Sequence, residues 1–106
     1  MKIVYIAGAY SSNTINGVFD NVIKARKTAI KYFRKGYGFI CPHTNSIFMD
    51  GLGGLNDADQ WYKMDLELIK RLKPTMVMMK GWKKSRGARA EHELAKQLKL
   101  KILYEN

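Results

Sequence analysis

The sequence predicts a small, doubly wound α/β domain of three layers, built on a parallel sheet of four or five strands. Three observations predict it. Short apolar runs alternate along the chain with longer stretches of helical periodicity. Each run stops at a glycine, a proline or a polar turn. At 106 residues with 46% hydrophobic content, residues 1–106 make one domain with a real core.

Ile3-Val4-Tyr5-Ile6 is a β-branched run ending at Gly8, which reads as a buried first strand. The polar loop from Ala9 to Gly17 follows at the strand's carboxyl end, the edge where open α/β sheets bind ligands. From about Val18 to Lys35 the period is helical. Val18, Val22, Ala25, Ala29 and Tyr32 or Phe33 face inward, Lys24, Lys27, Lys31 and Arg34 face outward, and Gly36 closes the helix. Phe39-Ile40-Cys41 is a second strand stopped by Pro42, and a helix between two strands suits a right-handed parallel crossover.

Pro42-His43-Thr44-Asn45 is expected as a loop on the ligand edge. His43 has two readings there, a substrate contact or a loop histidine bonded to backbone. Residues 46–57 form a longer glycine-rich loop, read as a site wall or an oligomer contact. A helix from about Ala58 to Leu72 carries Trp61, Met64, Leu68 and Leu72 as its stripe. Thr75 to Met79 is a third strand whose methionines fill the core. A basic loop, Gly81 to Gly87, leads into a last helix, and Lys99 to Tyr104 is the last strand. The expected strand order is 2-1-3-4, a Rossmann- or flavodoxin-like arrangement with its site between strands one and three.

The formal charge of +10 implies attraction to anions: phosphate-bearing metabolites, nucleic acid or a membrane surface. The cations are spread along the chain as on solvated helix faces, which disfavours a dedicated nucleic-acid patch. No apolar run approaches the ~20 residues of a membrane span. The N-terminal apolar segment is too short for a signal peptide. One cysteine, Cys41, excludes an internal disulfide and, with two histidines, leaves little for a metal site. A cytoplasmic location is the expectation.

Two acids stand where hydrophobes are expected. Glu91 shares a stripe with Ala88, Leu94 and Ala95, and Asp65 lies four residues after Trp61 and three before Leu68. Burying a carboxylate without partners is costly, so Glu91 either faces a cleft or reaches solvent from the stripe's edge. The predicted topology gathers Tyr5, the Gly8 loop with Tyr10 and Ser11, His43, Asp65, Ser85, the amides near Gly87 and Glu91 on one rim. The chain has no metal-ligand cluster, no Walker-type loop and no dinucleotide fingerprint. Carboxylate chemistry beside an anion site remains. One carboxylate can attack an anomeric carbon while a neighbouring acid serves the leaving group. A helix start with a serine and free amides can hold a phosphate or hydroxyl.

Tyr5-Ile6-Ala7-Gly8, Asp65-Leu66-Glu67 and Ser85-x-Gly87-x-x-x-Glu91 together resemble the nucleoside 2-deoxyribosyltransferase family. Its short members, which include the 2′-deoxynucleoside 5′-phosphate N-hydrolases, are the nearest in character, and the resemblance covers nearly the whole chain in element order. It implies that Glu91 is the nucleophile carrying the 2-deoxyribosyl group, that Asp65 protonates the leaving base, and that Tyr5 positions the nucleophile and sugar. Gly8, Tyr10, Ser11, His43, Ser85 and Gly87 are the expected substrate contacts. At the position of Ser85 an aspartate suits a free 5′-hydroxyl and a serine a 5′-phosphate. The serine, with Lys83, Lys84, Arg86 and Arg89 nearby, therefore argues for a nucleotide.

The chain departs from the family in two places. The first loop supplies hydroxyls without an arginine, and Lys73-Pro74-Thr75 stands where many members begin a strand with an aspartate. Residues 42–57 are expected to set base preference. The implied enzyme needs no metal or redox cofactor and forms homo-oligomers, with the 46–57 loop and Trp82 as interface candidates. Two other classes remain: a nucleotide-binding or sensing module without turnover, and a basic nucleic-acid accessory protein.

Overall fold

The computed structural model describes residues 1–47, 49 and 57–106. Four parallel strands form one sheet in the order β2-β1-β3-β4: β1 (Ile3–Ala7), β2 (Gly38–Ile40), β3 (Thr75–Met78) and β4 (Ile102–Tyr104). The order and the parallel pairing are those expected, and the strand number is the lower of the two. The central strands β1 and β3 are buried on both faces, which is why they read as unbroken apolar runs.

The helices are α1 (Ile15–Arg34), α2 (Pro42–Asn45), α3 (Ala58–Leu72) and α4 (Arg86–Gln97), with a 3₁₀ turn at Trp82–Lys84. α1 packs on one face of the sheet, where Ala25, Ala29 and Tyr32 meet Val4, Ile6 and Val77. α3 and α4 cover the other, where Ile69, Ala88 and Ala95 meet Tyr5, Met76 and Met78. The chain therefore crosses from one face to the other between β2 and β3. The segments that leave the carboxyl ends of β1 and β3 run to opposite faces there and leave a crevice.

Side-chain caps start the three long helices. Thr14 accepts from the Gly17 amide at 3.0 Å, Asp57 from Gln60 at 3.1 Å and Ser85 from Ala88 at 3.2 Å. Lys73 ends α3 in the left-handed region at φ 44°, and Pro74 forbids continuation. Among the described residues no helix is long and apolar enough to cross a membrane.

The structure corrects the reading in several places. Pro42–Asn45 is one helical turn rather than a loop, with Pro42 at its first position and Cys41 as the residue before it, so β2 ends at Ile40. The α3 stripe is rotated: Ile69 is fully buried, whereas Leu72 is 52% exposed. Tyr32, not Phe33, takes the inward place on α1. β4 begins at Ile102, after Lys99 has turned the chain at φ 58°. Most of the 46–57 loop, positions 48 and 50–56, lies outside the described residues.

The rotation of α3 is open to a direct measurement. Ile69→Ala is expected to cost about 2–5 kcal/mol in chemical denaturation and Leu72→Ala less than about 1 kcal/mol. Equal costs would contradict the packing.

Candidate functional site

The crevice is a cavity of about 400 Å³ at the carboxyl edge of the sheet. The segment after β1 supplies Gly8, Ala9, Tyr10 and Ser11, and the α2 region supplies Pro42, His43 and Ser46. α3 contributes Trp61, Tyr62, Asp65 and Leu66, and the start of α4 contributes Ser85 to Ala88 and Glu91. Ser11, Gly8, Tyr10, His43, Asp65, Ser85, Gly87 and Glu91, all expected site residues, thus line one cavity. Tyr5 does not line it. It lies fully buried in β1 and meets the site from beneath.

Glu91 is 8% exposed, so it faces a cleft and not solvent. The Tyr5 hydroxyl donates to its Oε2. That contact satisfies a buried phenol and a buried carboxyl at once, each of which would be costly alone. Burial pushes the Glu91 carboxyl up to about 8, against the Tyr5 hydrogen bond, while the nearby charge of Asp65 adds to the rise. Burial also raises Asp65, to about 6. The Tyr5 phenol is held far above its ordinary range by burial first and then by the charges of Glu91 and Asp65. The two acids therefore titrate as a pair that keeps one proton between about pH 6 and pH 8.

The other end of the cavity is electropositive. Ser85 caps α4, and the next two amides, Arg86 and Gly87, have no acceptor among the described residues. α4 has no acid in its first turn, so none of its own side chains there offsets the positive end of its dipole. Lys84 and Arg86 also line the cavity, and neither forms an ion pair among the described residues. Gly87 allows close packing: a Cβ there would stand 2.9 Å from the Tyr62 ring. Gly8 is fixed in the same way, because its Cβ would meet Met79 at 2.9 Å.

His43 is 4% exposed and its Nε2–H donates to the Ala9 carbonyl at 2.9 Å. The backbone-bonded reading of this histidine is therefore realised, and it pins the first loop to α2. Its ring also packs against Tyr10, at 5.8 Å between centroids. Burial pushes its pKa down, which leaves it neutral with Nδ1 unpartnered among the described residues. Asn21 secures the same loop from α1, donating to the Tyr10 carbonyl at 3.0 Å.

Sequence reasoning missed Tyr62, Leu66, Pro42 and Ser46 as lining residues. Tyr62 and Leu66 had a signal, since they flank the Trp61–Asp65 line on α3, three residues before and one after Asp65. Pro42 and Ser46 had none, because a four-residue helix carries no period. Among the described residues no group of three His, Cys, Asp or Glu side chains is placed to hold a metal.

Fold and site together give a small parallel α/β domain whose cavity is lined by two acids, Asp65 and Glu91, and by the start of a helix. Residues 2–104 match the DUF4406 family, a domain of unknown function, and the chain belongs to that family. No curated protein matches the chain.

The folded value of Glu91, about 8, lies above its ordinary 4.5, so the folded protein holds a proton that the unfolded chain releases. The stability this group contributes is full below about pH 4.5 and declines as the pH rises to about 8. Glu91→Gln removes the titration and keeps an acceptor for Tyr5. Its melting temperature at pH 8 is expected to exceed that of the wild type by about 5 °C, with the gap closing towards pH 5. A gap independent of pH in differential scanning calorimetry would contradict the raised pKa.

Proposed function

We propose that this chain is an N-glycosidase or 2-deoxyribosyltransferase-like enzyme that cleaves the N-glycosidic bond of a deoxynucleoside 5′-monophosphate. The observation that carries the reading is Glu91, a buried carboxyl held by Tyr5 beside Asp65 at the floor of a nucleotide-sized cavity. The resemblance of three separated motifs to the nucleoside 2-deoxyribosyltransferases supports it, as does the anion-accepting start of α4.

The productive state is the minor one in which the proton that Glu91 holds in the free protein has passed to Asp65 and Glu91 is ionised. A Glu91 oxygen attacks C1′, the C1′–N bond breaks, and its electron pair leaves with the base, which takes the Asp65 proton. The sugar is then an ester of Glu91. Water, giving its proton to the Asp65 carboxylate, attacks C1′ and frees the sugar phosphate; an incoming base at the same carbon completes a transfer instead. Tyr5 steadies the Glu91 carboxylate through its hydroxyl and touches no substrate. The 5′-phosphate accepts from the Arg86 and Gly87 amides and the Ser85 hydroxyl, with Lys84 and Arg86 balancing its charge.

One observation favours a second reading, a nucleotide-binding module without turnover. Glu91 keeps its proton up to about pH 8 in the free protein, and a neutral carboxyl is a hydrogen-bonding group before it is a nucleophile. Incubation with deoxynucleosides and their 5′-monophosphates, followed by chromatography for free base, separates the two. Base release is expected, with a bell-shaped pH dependence whose limbs lie near 6 and 8. Glu91→Gln should lower it by about a thousandfold or more. Binding without release supports the module, and full release by the purified variant overturns the nucleophile.

A separate substitution tests the anion end. Ser85→Asp preserves a helix cap but sets a negative charge where the phosphate would lie. It is expected to raise KM for monophosphates about tenfold or more and to leave nucleosides little affected. Equal effects on both would remove the phosphate from this position.

A further inference from the structure

A second groove lies beside the basic turn, lined among others by Lys80, Trp82, Lys83, Lys84, His92 and Tyr104. Three rings from three elements meet in it. Trp82, in the 3₁₀ turn, stacks on His92 of α4 with centroids 4.2 Å apart and a tilt of 33°. Tyr104, the last residue of the edge strand β4, lies 6.2 Å from Trp82 and 5.8 Å from His92. Its hydroxyl is hydrogen-bonded to His92 Nε2 at 2.7 Å, so stack and bond fix the cluster in place. Tyr104 nevertheless stays 53% exposed. The proposed reaction uses none of these rings. Lys80, Lys83 and Lys84 are exposed, and none forms an ion pair among the described residues. Lys83 Nζ stands 5.9 Å from the Trp82 ring centroid, so cation and ring are presented together. Glu105 is the one acidic side chain lining the groove, and Lys31 already neutralises it at 2.7 Å.

We propose that this groove binds single-stranded nucleic acid without regard to sequence, with bases stacking on Tyr104 and Trp82 and phosphates meeting Lys80, Lys83 and Lys84. Rings interleaved with unpaired cations are complementary to a strand, which alternates bases and phosphates. A duplex keeps its bases stacked inside and leaves the rings unused, and an acidic peptide uses the cations alone. A free nucleotide calls for polar groups that orient its base in an enclosing pocket. His43 and Glu91, the buried polar side chains among the described residues, both line the other cavity and not this groove. The groove therefore offers stacking and charge, the part of recognition that tolerates any base. Cations that look dispersed along the sequence are gathered here by the fold, because a turn, a helix and a strand supply the rings beside them. Lys84 lines both hollows, so Lys80 and Lys83 are the cations that test this one.

Fluorescence anisotropy of the intact chain with a labelled oligothymidylate of about 20 nucleotides provides the test. Binding is expected to be about tenfold or more tighter than to a duplex of the same length. The logarithm of the binding constant is expected to fall with the logarithm of salt at a slope of about −2, roughly 0.7 for each of three phosphates. Tyr104→Ala is expected to weaken binding about tenfold and Tyr104→Phe to retain it, because the ring stacks and the hydroxyl does not. Should Tyr104→Ala unfold by circular dichroism, the lysines provide an independent test. Lys80→Glu with Lys83→Glu is expected to weaken binding about tenfold or more and to flatten the salt slope towards about −0.7. Absence of strand binding overturns the proposal, as does equal affinity for the duplex or an affinity indifferent to both sets of variants. Displacement of the strand by thymidine monophosphate at matched phosphate concentration makes the groove a mononucleotide site, and displacement by polyglutamate makes it an acidic-peptide site. Either result likewise overturns the proposal.

Discussion

The hydrogen bond from Tyr5 to Glu91 joins the middle of the sheet to the second turn of α4, and the site is arranged around it. Tyr5 sits in the most buried strand with a hydroxyl that needs an acceptor, and Glu91 brings a carboxyl where the helix should present a hydrophobe. Removing either leaves the other as a buried polar group without its partner, a cost of about 1–3 kcal/mol. The bond also gives the acid its direction. Glu91 is held by one oxygen from below, which leaves the remainder of its carboxyl to the cavity. The same burial that protects the bond lifts the carboxyl's pKa, so the residue stays on the border between acid and base near neutral pH.

Asp65 makes that border chemically useful. Two carboxyls close enough to feel one another's charge do not both ionise readily, and the charge of Asp65 adds to the rise that burial gives Glu91. At the opposite end the Arg86 and Gly87 amides and the cations Lys84 and Arg86, without acceptors or ion pairs among the described residues, have the reverse polarity. The cavity is therefore polarised along its length, with acids at one end and cations and backbone donors at the helix start.

Much of this was legible because strands and helices have different periods. β1 and β3 read as unbroken apolar runs since both of their faces are covered, and the alternation of runs with helices determined the strand order. Glu91 was visible as an acid on an apolar stripe. The rotation of α3 was not, and the reason is physical. Trp61, Asp65 and Ile69 lie along one line of the helix, where the cavity takes the first two and the core takes the third. A line shared by a cavity and a core has no uniform hydrophobicity, and the neighbouring leucines outweighed it. Tyr5 was placed on the rim because its role was legible but its depth was not. An alternating strand identifies which face a side chain takes, whereas the distance to the cavity depends on the helix that packs over it.

The two faces of the sheet carry unequal loads. α3 and α4 together cover one face, and their joint is the wall of the site, tightened where Gly87 admits the Tyr62 ring. α1 covers the other face alone, and its flank remains apolar beside the exposed edge of β2. A single helix can bury only about a third of its circumference against a sheet, so part of the apolar surface of α1 lies outside this core. The Asn21 side chain connects this face to the site, since it leaves α1 to hold the Tyr10 carbonyl at the cavity mouth. Whatever steadies α1 therefore also steadies the first loop of the cavity wall. The unequal covering of the sheet thus sets the two buried acids on one face and places the support of the first loop on the other.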